Sequence, residues 1–484
     1  MKAEQTPIYL QAFGGAETVT GSKLLLGTPS ANILIDCGLF QGLKSLREKN
    51  WHYPPFEPSL ISHVMITHAH LDHTGYIPLL VKYGYRGPFY MSGATSELCK
   101  LILRDSAKLQ EEDAYKANKY GYTKHQRAKP LYGQADVERA VLQFVKVDAG
   151  KPYQLNKHIT FQFYGAGHIP GACSVQVSCY GKNILFSGDI GRSRSIYLSP
   201  PSPPRDNHFV VMESTYGDRL HQTGDVESEL ASVINRTVFE NGNLLIPCFA
   251  VGRAQELIQL IYRLKEKKSI PPSIPVFLDS PMAAAANHTL LHYPEWTTLE
   301  PAEWRRMLSN MVTNKDAAGT SKIIKQRGSK IILAGSGMLT GGRALEYLKH
   351  YIEDKRNTIL IIGFQAAGTR GRALLNGAPE IKIHGRYYTV RARVEENRNL
   401  SAHADQHELV EWLEGNTTAL QAVFLNHGEP CALEALRIKV RDTYNTEVKI
   451  LQPEKKEILF VVAEPGKPDQ SGQSSASHAA EIQS

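Results

Sequence analysis

Three histidines and one aspartate lie within the short string Thr67-His68-Ala69-His70-Leu71-Asp72-His73. The apolar run Val64-Met-Ile-Thr67 leads into this string, which predicts a loop directly after a buried strand. Imidazole and carboxylate groups suit divalent ions of hard to borderline character, and a tight loop can aim them in pairs. We therefore predict that His68 and His70 face one metal ion. Asp72 and His73 would face a neighbouring ion. The alternative is a polar loop with surface histidines, but with 18 histidines in 484 residues this spacing arises by chance in roughly one chain in a thousand.

Further ligand-type residues stand at the ends of other short strand-forming segments. A single histidine or aspartate in such a place is usually a cap or a turn residue. Several of them are harder to explain that way, because strand ends in one sheet lie along one edge. Flanking glycines also allow close backbone approach at two of these places. The residues in question are Asp36, His168, Asp189, Glu213 and His427.

The chain divides into a β-rich first part and a middle part of different pattern. Up to about residue 215 the predicted strands are short and end at glycine or polar residues. Between about residues 225 and 395, nearly continuous apolar strands alternate with helices, as in a parallel sheet covered on both faces. Helix and strand patterns alternate again after about residue 400. The Gly-, Ser- and Gln-rich segment 465–484 is predicted to be a disordered tail.

Composition places the chain among globular proteins and excludes several classes. Hydrophobic residues make up 42% and charged residues 21% of the chain, which excludes wholesale disorder. The six cysteines contain no CxxC pair, which excludes zinc ribbons and thioredoxin-type motifs. We find neither a signal-peptide pattern nor an apolar run near the ~18 residues of a membrane span, so we expect a cytoplasmic protein without a membrane partner. The net charge of +7 permits a polyanionic partner without arguing strongly for one.

The order of these motifs resembles that of a known family. His68-Ala-His70-Leu-Asp72-His73, followed by His168 and Asp189, is similar to the metal-binding motifs of the metallo-β-lactamase superfamily. Glu213, Ser401-Ala-His403-Ala-Asp405 and Asn426-His427-Gly-Glu429 resemble the additional motifs of its β-CASP branch. That branch includes the mRNA 3′-end cleavage factor endonuclease, ribonuclease J and stand-alone bacterial and archaeal ribonucleases.

The resemblance implies an α/β fold, namely a metallo-β-lactamase αβ/βα sandwich with an inserted parallel-sheet β-CASP domain. The first part of the sandwich would span residues 1–215 and its completion residues 400–464. The inserted domain would span residues 216–399. The chain would thus return to its first domain and carry His403 and His427 back to the site.

The resemblance also implies roles for the residues of the site. One divalent ion would be held by His68, His70 and His168, and a second by Asp72, His73 and His427. Asp189 would bridge the two ions, and Asp36 would accept a hydrogen bond that orients a ligand histidine. Zinc is the favoured metal, with manganese or iron as alternatives. A metal-bridging hydroxide would attack the phosphodiester in line, assisted by Asp72 and Asp189 as ligands. His403, held by Glu213, would protonate the leaving oxygen and leave 5′-phosphate and 3′-hydroxyl ends.

Several residues are candidates for contact with the substrate. In the branch that the motifs resemble, a histidine at position 427 is typical of RNA-directed members, which favours single-stranded RNA. Glycine-rich turns of the inserted region could cradle phosphate through free backbone N–H groups, although ordinary strand–helix turns are an equal alternative. The candidates are Arg253, Ser336, Gly337, Arg370 and Arg372.

These observations favour a dinuclear metal-dependent ribonuclease that acts in RNA processing or decay. A small-substrate metallo-hydrolase is one alternative, although the large insertion would enclose its site. A non-catalytic RNA-binding scaffold is the other, although all seven ligand positions are occupied by ligand-type residues. The spacing does not decide between endonuclease and 5′-exonuclease. The resemblance allows a homodimer.

Overall fold

The computed structural model describes residues 5–121, 127–221, 224–314, 316–397, 401–416 and 420–463. The predicted disordered tail at 465–484 lies outside these residues. In the described parts of the chain, each helix is too short or too polar to cross a lipid bilayer.

The first segment of the chain, up to Met212, contains mainly strands. These strands are β1 (Gln5–Gly14), β2 (Lys23–Gly27), β3 (Asn32–Ile35), β4 (His63–Met65), β5 (Phe89–Ser92), β6 (Phe144–Val147), β7 (Pro152–Asn156), β8 (Ile159–Gly165), β9 (Cys173–Cys179), β10 (Lys182–Phe186) and β11 (Phe209–Met212). The helices are α1 (Lys44–Lys49), α2 (Leu71–Thr74), α3 (Ile77–Lys82), α4 (Gly93–Tyr120) and α5 (Gln134–Val141), with a short 3₁₀ turn at Pro58–Leu60.

The middle segment alternates strands and helices. Its strands are β12 (Leu244–Pro247), β13 (Val276–Asp279), β14 (Val312–Thr313), β15 (Ile331–Ala334), β16 (Thr358–Ile362), β17 (Glu380–Ile383), β18 (Arg386–Thr389) and β19 (Arg393–Asn397). Its helices are α6 (Val226–Phe239), α7 (Arg253–Glu266), α8 (Pro281–His292), α9 (Pro301–Ser309), α10 (Ala317–Lys325), α11 (Gly342–Tyr351) and α12 (Arg370–Leu375), with a 3₁₀ turn at Pro294–Trp296.

The last segment contains α13 (Gln406–Trp412), β20 (Ala422–Leu425), α14 (Pro430–Tyr444), β21 (Glu447–Ile450) and β22 (Lys456–Ala463), with a 3₁₀ turn at Leu413–Asn416. These strands return to the sheets of the first segment. β22 pairs antiparallel with β1, placing Phe460 opposite Ile8, and β20 pairs parallel with β11. The first and last segments therefore build one unit around the middle segment.

The first and last segments form two seven-stranded sheets over the described residues. The first has the order β22-β1-β2-β3-β4-β5-β6 and the second β21-β20-β11-β10-β9-β8-β7. β1, β2, β3 and β22 pair antiparallel, whereas β3 to β6 run parallel. In the second sheet β7 to β10 pair antiparallel, and β10, β11, β20 and β21 run parallel.

The two sheets pack face to face and are covered by helices on their outer faces. β8 shows how the sequence achieves this, because Ile159, Phe161 and Phe163 alternate with less buried residues and point into the shared core. Full burial of such a side chain contributes roughly 1.5–3 kcal/mol relative to exposure. The outer face of the first sheet packs on α3 to α5, and that of the second on α13 and α14. This layering confirms the predicted α/β class.

The middle segment forms a six-stranded sheet of order β14-β13-β15-β12-β16-β19, in which all neighbouring strands run parallel. Strands such as Ile331–Ala334 are buried at every residue, because helices cover both faces. The predicted parallel sheet is therefore confirmed. The predicted boundary between 399 and 400 falls within residues 398–400, which lie outside the described ranges, and both domain boundaries stay predictions.

Candidate metal centre

The site lies where the carboxyl ends of strands from both large sheets meet. β3 and β4 end at Asp36 and at the loop that carries His68 to His73. In the second sheet β8, β10, β11 and β20 run in the same direction, so the segments that follow them leave the sheet at one edge. Those segments carry the remaining ligand-type residues, His168, Asp189, Glu213 and His427.

Four of the predicted ligands form a first cluster. His70 Nδ1 lies 3.1 Å from His68 Nε2 and 3.2 Å from His168 Nε2. Asp189 Oδ2 lies 3.4 Å from His68 Nε2 and 3.6 Å from His168 Nε2. Three of these side chains are fully buried, and His70 is partly buried. The donor atoms of three imidazoles and one carboxylate therefore lie close enough together to coordinate a single ion.

The other predicted ligands form a second cluster beside the first. His73 Nε2 lies 3.2 Å from His427 Nε2, and Asp72 Oδ2 lies 3.7 Å from the same His427 nitrogen. The second carboxylate oxygen of Asp189, Oδ1, lies 3.3 Å from His73 Nε2 and 3.5 Å from His427 Nδ1. Asp189 therefore presents one oxygen to each cluster.

The spacing of these donors fits metal ions. A tetrahedral ion with metal–nitrogen bonds of about 2.0–2.1 Å holds its ligand nitrogens about 3.3–3.4 Å apart, close to the separations among His68, His70 and His168. Asp189 Oδ1 is buried and has no hydrogen-bond partner among the described residues. An unpaired buried carboxylate oxygen is costly unless a cation or a donor satisfies it. The residues present therefore fit two divalent ions.

The pKa shifts of His68, His168 and Asp189 agree with a ligand role, whereas the carboxylates of Asp189 and Asp36 outweigh burial and raise the pKa of His73 well above the ordinary value. Burial lowers the pKa of His68 and of His168 well below the ordinary value, so both rings are neutral and keep a lone pair. Burial alone would raise the pKa of Asp189, but the neighbouring imidazoles of His73 and His427 hold it well below the usual range. Metal ligands must be deprotonated, and His68, His168 and Asp189 meet that condition.

Asp36 and Thr67 fix the orientation of two predicted ligand histidines, His73 and His68. Asp36 Oδ2 accepts a 2.7 Å hydrogen bond from His73 Nδ1, which turns His73 Nε2 towards the second cluster. Asp36 Oδ1 accepts the backbone N–H of Thr67 at 2.8 Å. The Thr67 hydroxyl contacts the same carboxylate at 2.9 Å and lies 3.1 Å from His68 Nδ1. No role was predicted for Thr67, although its place directly before His68 is a usable signal.

Glu213 and His403 form a pair next to the first cluster. His403 Nδ1 lies 3.0 Å from Glu213 Oε1, and its Nε2 lies 3.9 Å from Asp189 Oδ2. The Glu213 carboxylate is fixed by the backbone N–H groups of Ile190 (2.6 Å) and Thr215 (3.2 Å). Burial alone would lower the pKa of His403, but the adjacent Glu213 carboxylate raises it above the ordinary value. His403 therefore favours its protonated form beside the first cluster of ligand-type residues.

His221 is a further contact of the site, and no role was predicted for it from the sequence. Its Nε2 lies 2.9 Å from the backbone carbonyl of His403, and its backbone N–H donates to Asp405 Oδ2 at 2.8 Å. Asp405 in turn caps α13 in a reciprocal arrangement with Glu408. His221 thus connects the segment after β11 with the His403 segment. Because it acts on a backbone carbonyl, no side-chain motif could have indicated this contact.

The candidate substrate residues at 253, 336 and 337 engage other parts of the protein. The Arg253 side chain is buried and forms an ion pair with Glu256. Ser336 Oγ accepts the backbone N–H of Thr340 at 3.1 Å. A Cβ added to Gly337 would lie 2.8 Å from the ring of Phe249, and that ring lies 6.0 Å from the ring of His70. The turn at Gly337 therefore reaches the site through Phe249.

The two remaining candidates also donate to protein groups. Arg370 Nε donates to the carbonyl of Lys382 at 2.8 Å, and Arg372 Nε to the carbonyl of Gln365 at 2.7 Å. Arg372 also lies 3.8 Å from the carboxylate of Glu429, which follows β20. Arg372 therefore joins the middle segment to the segment that carries His427. A phosphate-binding role for these residues stays a prediction.

Three family models match the chain. The metallo-beta-lactamase superfamily matches residues 21–231, the Beta-Casp domain residues 254–374, and the Zn-dependent metallo-hydrolase RNA specificity domain residues 387–451. The matches follow the order in which the structure builds the first sheet, the middle sheet and the returning segment.

Curated relatives cover most of the chain. Ribonuclease TTHA0252 of Thermus thermophilus is 35% identical over 435 residues, which span 88% of this chain and 94% of that protein. Transcription termination factor FttA of Cenarchaeum symbiosum is 32% identical over 463 residues, spanning 91% of this chain and 69% of that protein. FttA of Methanocaldococcus jannaschii is 31% identical over 449 residues, spanning 87% and 67%. A crystal structure of a protein of unknown function from Enterococcus faecalis V583 shares the fold, with a TM-score of 0.51 at 14% identity over 94% of this chain and all of that one.

Proposed function

The chain belongs to the β-CASP branch of the metallo-β-lactamase superfamily, and on that premise we propose that it is a divalent-metal-dependent ribonuclease. The family matches the one that the sequence motifs indicated, so that prediction is confirmed. The observation that carries the function is the convergence of seven ligand-type side chains on two adjacent clusters, with Glu213 and His403 beside them. A relative named as a ribonuclease and a family model described as an RNA specificity domain support RNA as the substrate.

Two divalent ions fit this site, and zinc is the favoured metal. One ion would be held by His68, His70 and His168. The other would be held by Asp72, His73 and His427, and Asp189 would contact both ions. The description of the matched family as zinc-dependent supports the choice, and imidazole with carboxylate ligands also suits manganese or iron. We propose both the number of ions and their identity.

The protein residues would contribute to phosphodiester hydrolysis in three ways. The chemistry that bound ions supply is activation of a water molecule and neutralisation of charge on the phosphoryl oxygens. Asp36 keeps the proton of His73 on Nδ1, which leaves Nε2 free as a ligand. Glu213 keeps the proton-donating edge of His403 aimed at the cluster through a contact at Nδ1. His403 would then protonate the departing 3′ oxygen, leaving 5′-phosphate and 3′-hydroxyl ends.

Cleavage of single-stranded RNA by the full chain tests this proposal. With Zn²⁺ or Mn²⁺ supplied, we expect cleavage by the wild type and its loss in the variant Asp72→Ala plus His73→Ala. Retained cleavage in that variant, or none in the wild type, would reject the proposal. Circular RNA separates the two modes of attack, because only an endonuclease opens a circle.

The alternative functions predict different results in the same assays. A small-substrate metallo-hydrolase would turn over a model thioester and leave RNA intact. A non-catalytic RNA-binding scaffold would bind RNA without cleavage and hold well below two ions per folded chain.

Three further features stay predictions. A role in RNA processing or decay and a cytoplasmic location are two of them. A homodimer is testable by light scattering over a range of protein concentrations. We retain 1–215 and 400–464 as the metallo-β-lactamase domain and 216–399 as the β-CASP insertion.

A further inference from the structure

A cavity of about 240 Å³ lies beside the first sheet, outside the two ligand clusters. Its walls come from the end of β1, the start of β2, the segment around α1, and the turn before β22. None of the residues that line it has a role in the reaction proposed above. We call it the aromatic pocket and define it by Phe13, Lys23, Phe40, Lys49, Tyr53 and Tyr76.

The floor of the aromatic pocket combines ring faces with a buried amine. Lys23 Nζ lies 4.7 Å from the ring centroid of Phe40 and 4.6 Å from that of Tyr76. It also donates to the carbonyl of Gly38 at 2.5 Å. Burial lowers the pKa of Lys23 to about 8. Lys23 also donates to the carbonyl of Gly21 at 3.2 Å, so its amine is satisfied by the protein itself and the floor is an aromatic surface around a buried amine.

The rim of the aromatic pocket carries exposed aromatic rings and the cation of Lys49. Tyr53 is 52% exposed, yet its ring is fixed by a 3.1 Å hydrogen bond from its hydroxyl to Glu57 and by an edge contact with Tyr83. Lys49 is exposed, and its Nζ lies 5.6 Å from the ring centroid of Phe40. Trp51, 56% exposed, lies between them in sequence. Rigid exposed rings next to cations are typical of surfaces that bind single-stranded nucleic acid.

The aromatic pocket lies between the metal-ligand loop and the middle segment. The residue before Lys23, Ser22, donates its backbone N–H to the carbonyl of Asp72 at 2.8 Å. On the other side, a Cβ added to Gly42 would lie 2.9 Å from the carbonyl of Ala367 in the middle segment. An RNA strand that crosses the proposed cleavage site between the two domains would therefore pass near the aromatic pocket.

We propose that the aromatic pocket receives one nucleobase of a single-stranded RNA substrate, with a neighbouring phosphate at Lys49. This inference rests on the proposed ribonuclease function and extends it to a substrate subsite. The cavity is smaller than the ~300–1,000 Å³ of pockets for drug-sized ligands, which suits a single base. The exposed carboxylate of Glu454 at the rim can accept a hydrogen bond from an exocyclic amine. Exposed Arg47 on α1 adds positive charge along the approach, whereas Lys44 is paired with Glu48 at 3.5 Å.

Binding of a short fluorescent single-stranded oligoribonucleotide tests the proposal. The measurements use the full chain carrying His403→Ala to suppress cleavage. Because stacking of one base is lost, we expect Tyr53→Ala to raise Kd about 5- to 150-fold. Lys49→Ala should also raise Kd and flatten the dependence of log K on log salt by about 0.7, the value for one single-strand phosphate. Tyr53→Phe keeps the ring and should keep the affinity.

The chain offers a matched control on α4. Tyr115 is 63% exposed, and Lys119 Nζ lies 5.7 Å from its ring centroid, so the pair resembles Tyr53 with Lys49. It stands beside the acidic residues 111–113. Tyr115→Ala and Lys119→Ala should leave Kd unchanged. The proposal would be overturned if the control substitutions on α4 weaken RNA binding as much as those at Tyr53 and Lys49. It would also be overturned if the Tyr53 and Lys49 substitutions leave the affinity unchanged.

A second measurement identifies the base. A series of oligonucleotides carries one abasic nucleotide at each position in turn. We expect one position whose abasic form weakens binding to the parent chain but causes no further loss in Tyr53→Ala. An effect spread evenly over all positions would overturn the proposal.

Cleavage separates this proposal from the function on which it rests. If the chain with intact His403 does not cleave RNA, the ribonuclease function fails whatever the binding data show. If it cleaves RNA and Tyr53→Ala leaves KM unchanged, the pocket fails and the function stands.

Discussion

Asp36 offers the sharpest test of how the protein prepares its metal ligands. Its carboxylate is 2% exposed and is surrounded by donors, namely the Thr67 N–H, the Thr67 hydroxyl and His73 Nδ1. Asp36→Asn keeps the size of the side chain and tolerates the left-handed backbone at this position (φ 61°). The substitution replaces one acceptor oxygen by an amide that donates. That amide must face either Thr67 or His73, and both are donors.

The expected result is a selective loss of metal affinity. If the amide faces His73, Nδ1 must become an acceptor, and the ring proton moves to Nε2, the atom that faces the second cluster. A hydrogen bond to a charged group contributes roughly 1.5–3 kcal/mol, which corresponds to about a 10- to 150-fold loss of affinity. Only the ion held by Asp72, His73 and His427 should be affected.

Competition with a fluorescent chelator measures the two affinities, and the ¹⁵N shifts of His73 report its tautomer. Asp206→Asn is the matched control, because Asp206 also has a left-handed backbone (φ 56°) but is exposed and remote in sequence from every ligand. Two ions bound by Asp36→Asn with wild-type affinity, or a His73 tautomer that does not change, would refute the reasoning.

Three other perturbations test the surroundings of the site. His221→Ala removes the contact with the His403 carbonyl and should lower kcat for RNA about 2- to 10-fold with KM unchanged. The control His350→Ala, at an exposed residue, should change neither kcat nor KM. A change in KM alone would contradict a positioning role for His221. Gly38→Ala places a Cβ 1.6 Å from the carbonyl of Asp72, so the loop that carries Asp72 must move. Elemental analysis of the variant should therefore find about one metal ion fewer per folded chain. Two retained ions would show that the loop adapts without losing a ligand. Burial lowers the pKa of Lys23 from 10.5 to about 8, so its buried charge destabilises the fold fully below pH 8 and no longer above about pH 10.5. The free energy of unfolding of Lys23→Met, relative to wild type, should therefore fall by about 3 kcal/mol between these pH values in urea titrations, and a difference independent of pH would contradict the assignment.

The convergence of the predicted ligand residues could be anticipated where they follow recognisable strands. The loop after β4 carries four of them in seven positions, so their proximity is local and needs no tertiary information. The others follow strands whose apolar runs are clear, such as β10 before Asp189 and β20 before His427. The sequence indicated each strand end but could not show that two different sheets bring their ends together. That convergence depends on the core between the sheets.

Elements that depend on distant partners were harder to predict. β1 is a central strand only because β22 pairs with it from the far end of the chain, with Ile8 opposite Phe460. The helix α8 contains the run Ala283–Ala286, which has no alternation of apolar and polar residues and therefore gives no periodic signal. His221 and Lys23 act through backbone carbonyls, and a carbonyl is present at every position. Such contacts leave no trace in a one-dimensional pattern.

Backbone strain marks the same site independently of any motif. In the described part of the chain, the buried non-glycine residues with positive φ are Asp36, Leu339 and His427; the others with positive φ are at least partly exposed. The left-handed conformation costs roughly 1–2 kcal/mol for such residues, and glycine would remove that cost. Glycine, however, has neither the carboxylate that orients His73 nor the imidazole of His427. Two of the three strained positions therefore keep a side chain that the proposed chemistry needs. The third residue, Leu339, lies in the turn after Gly337, and its backbone carbonyl accepts a hydrogen bond from the Arg370 guanidinium. Its strained backbone therefore lies in the segment that we predict to contact the substrate.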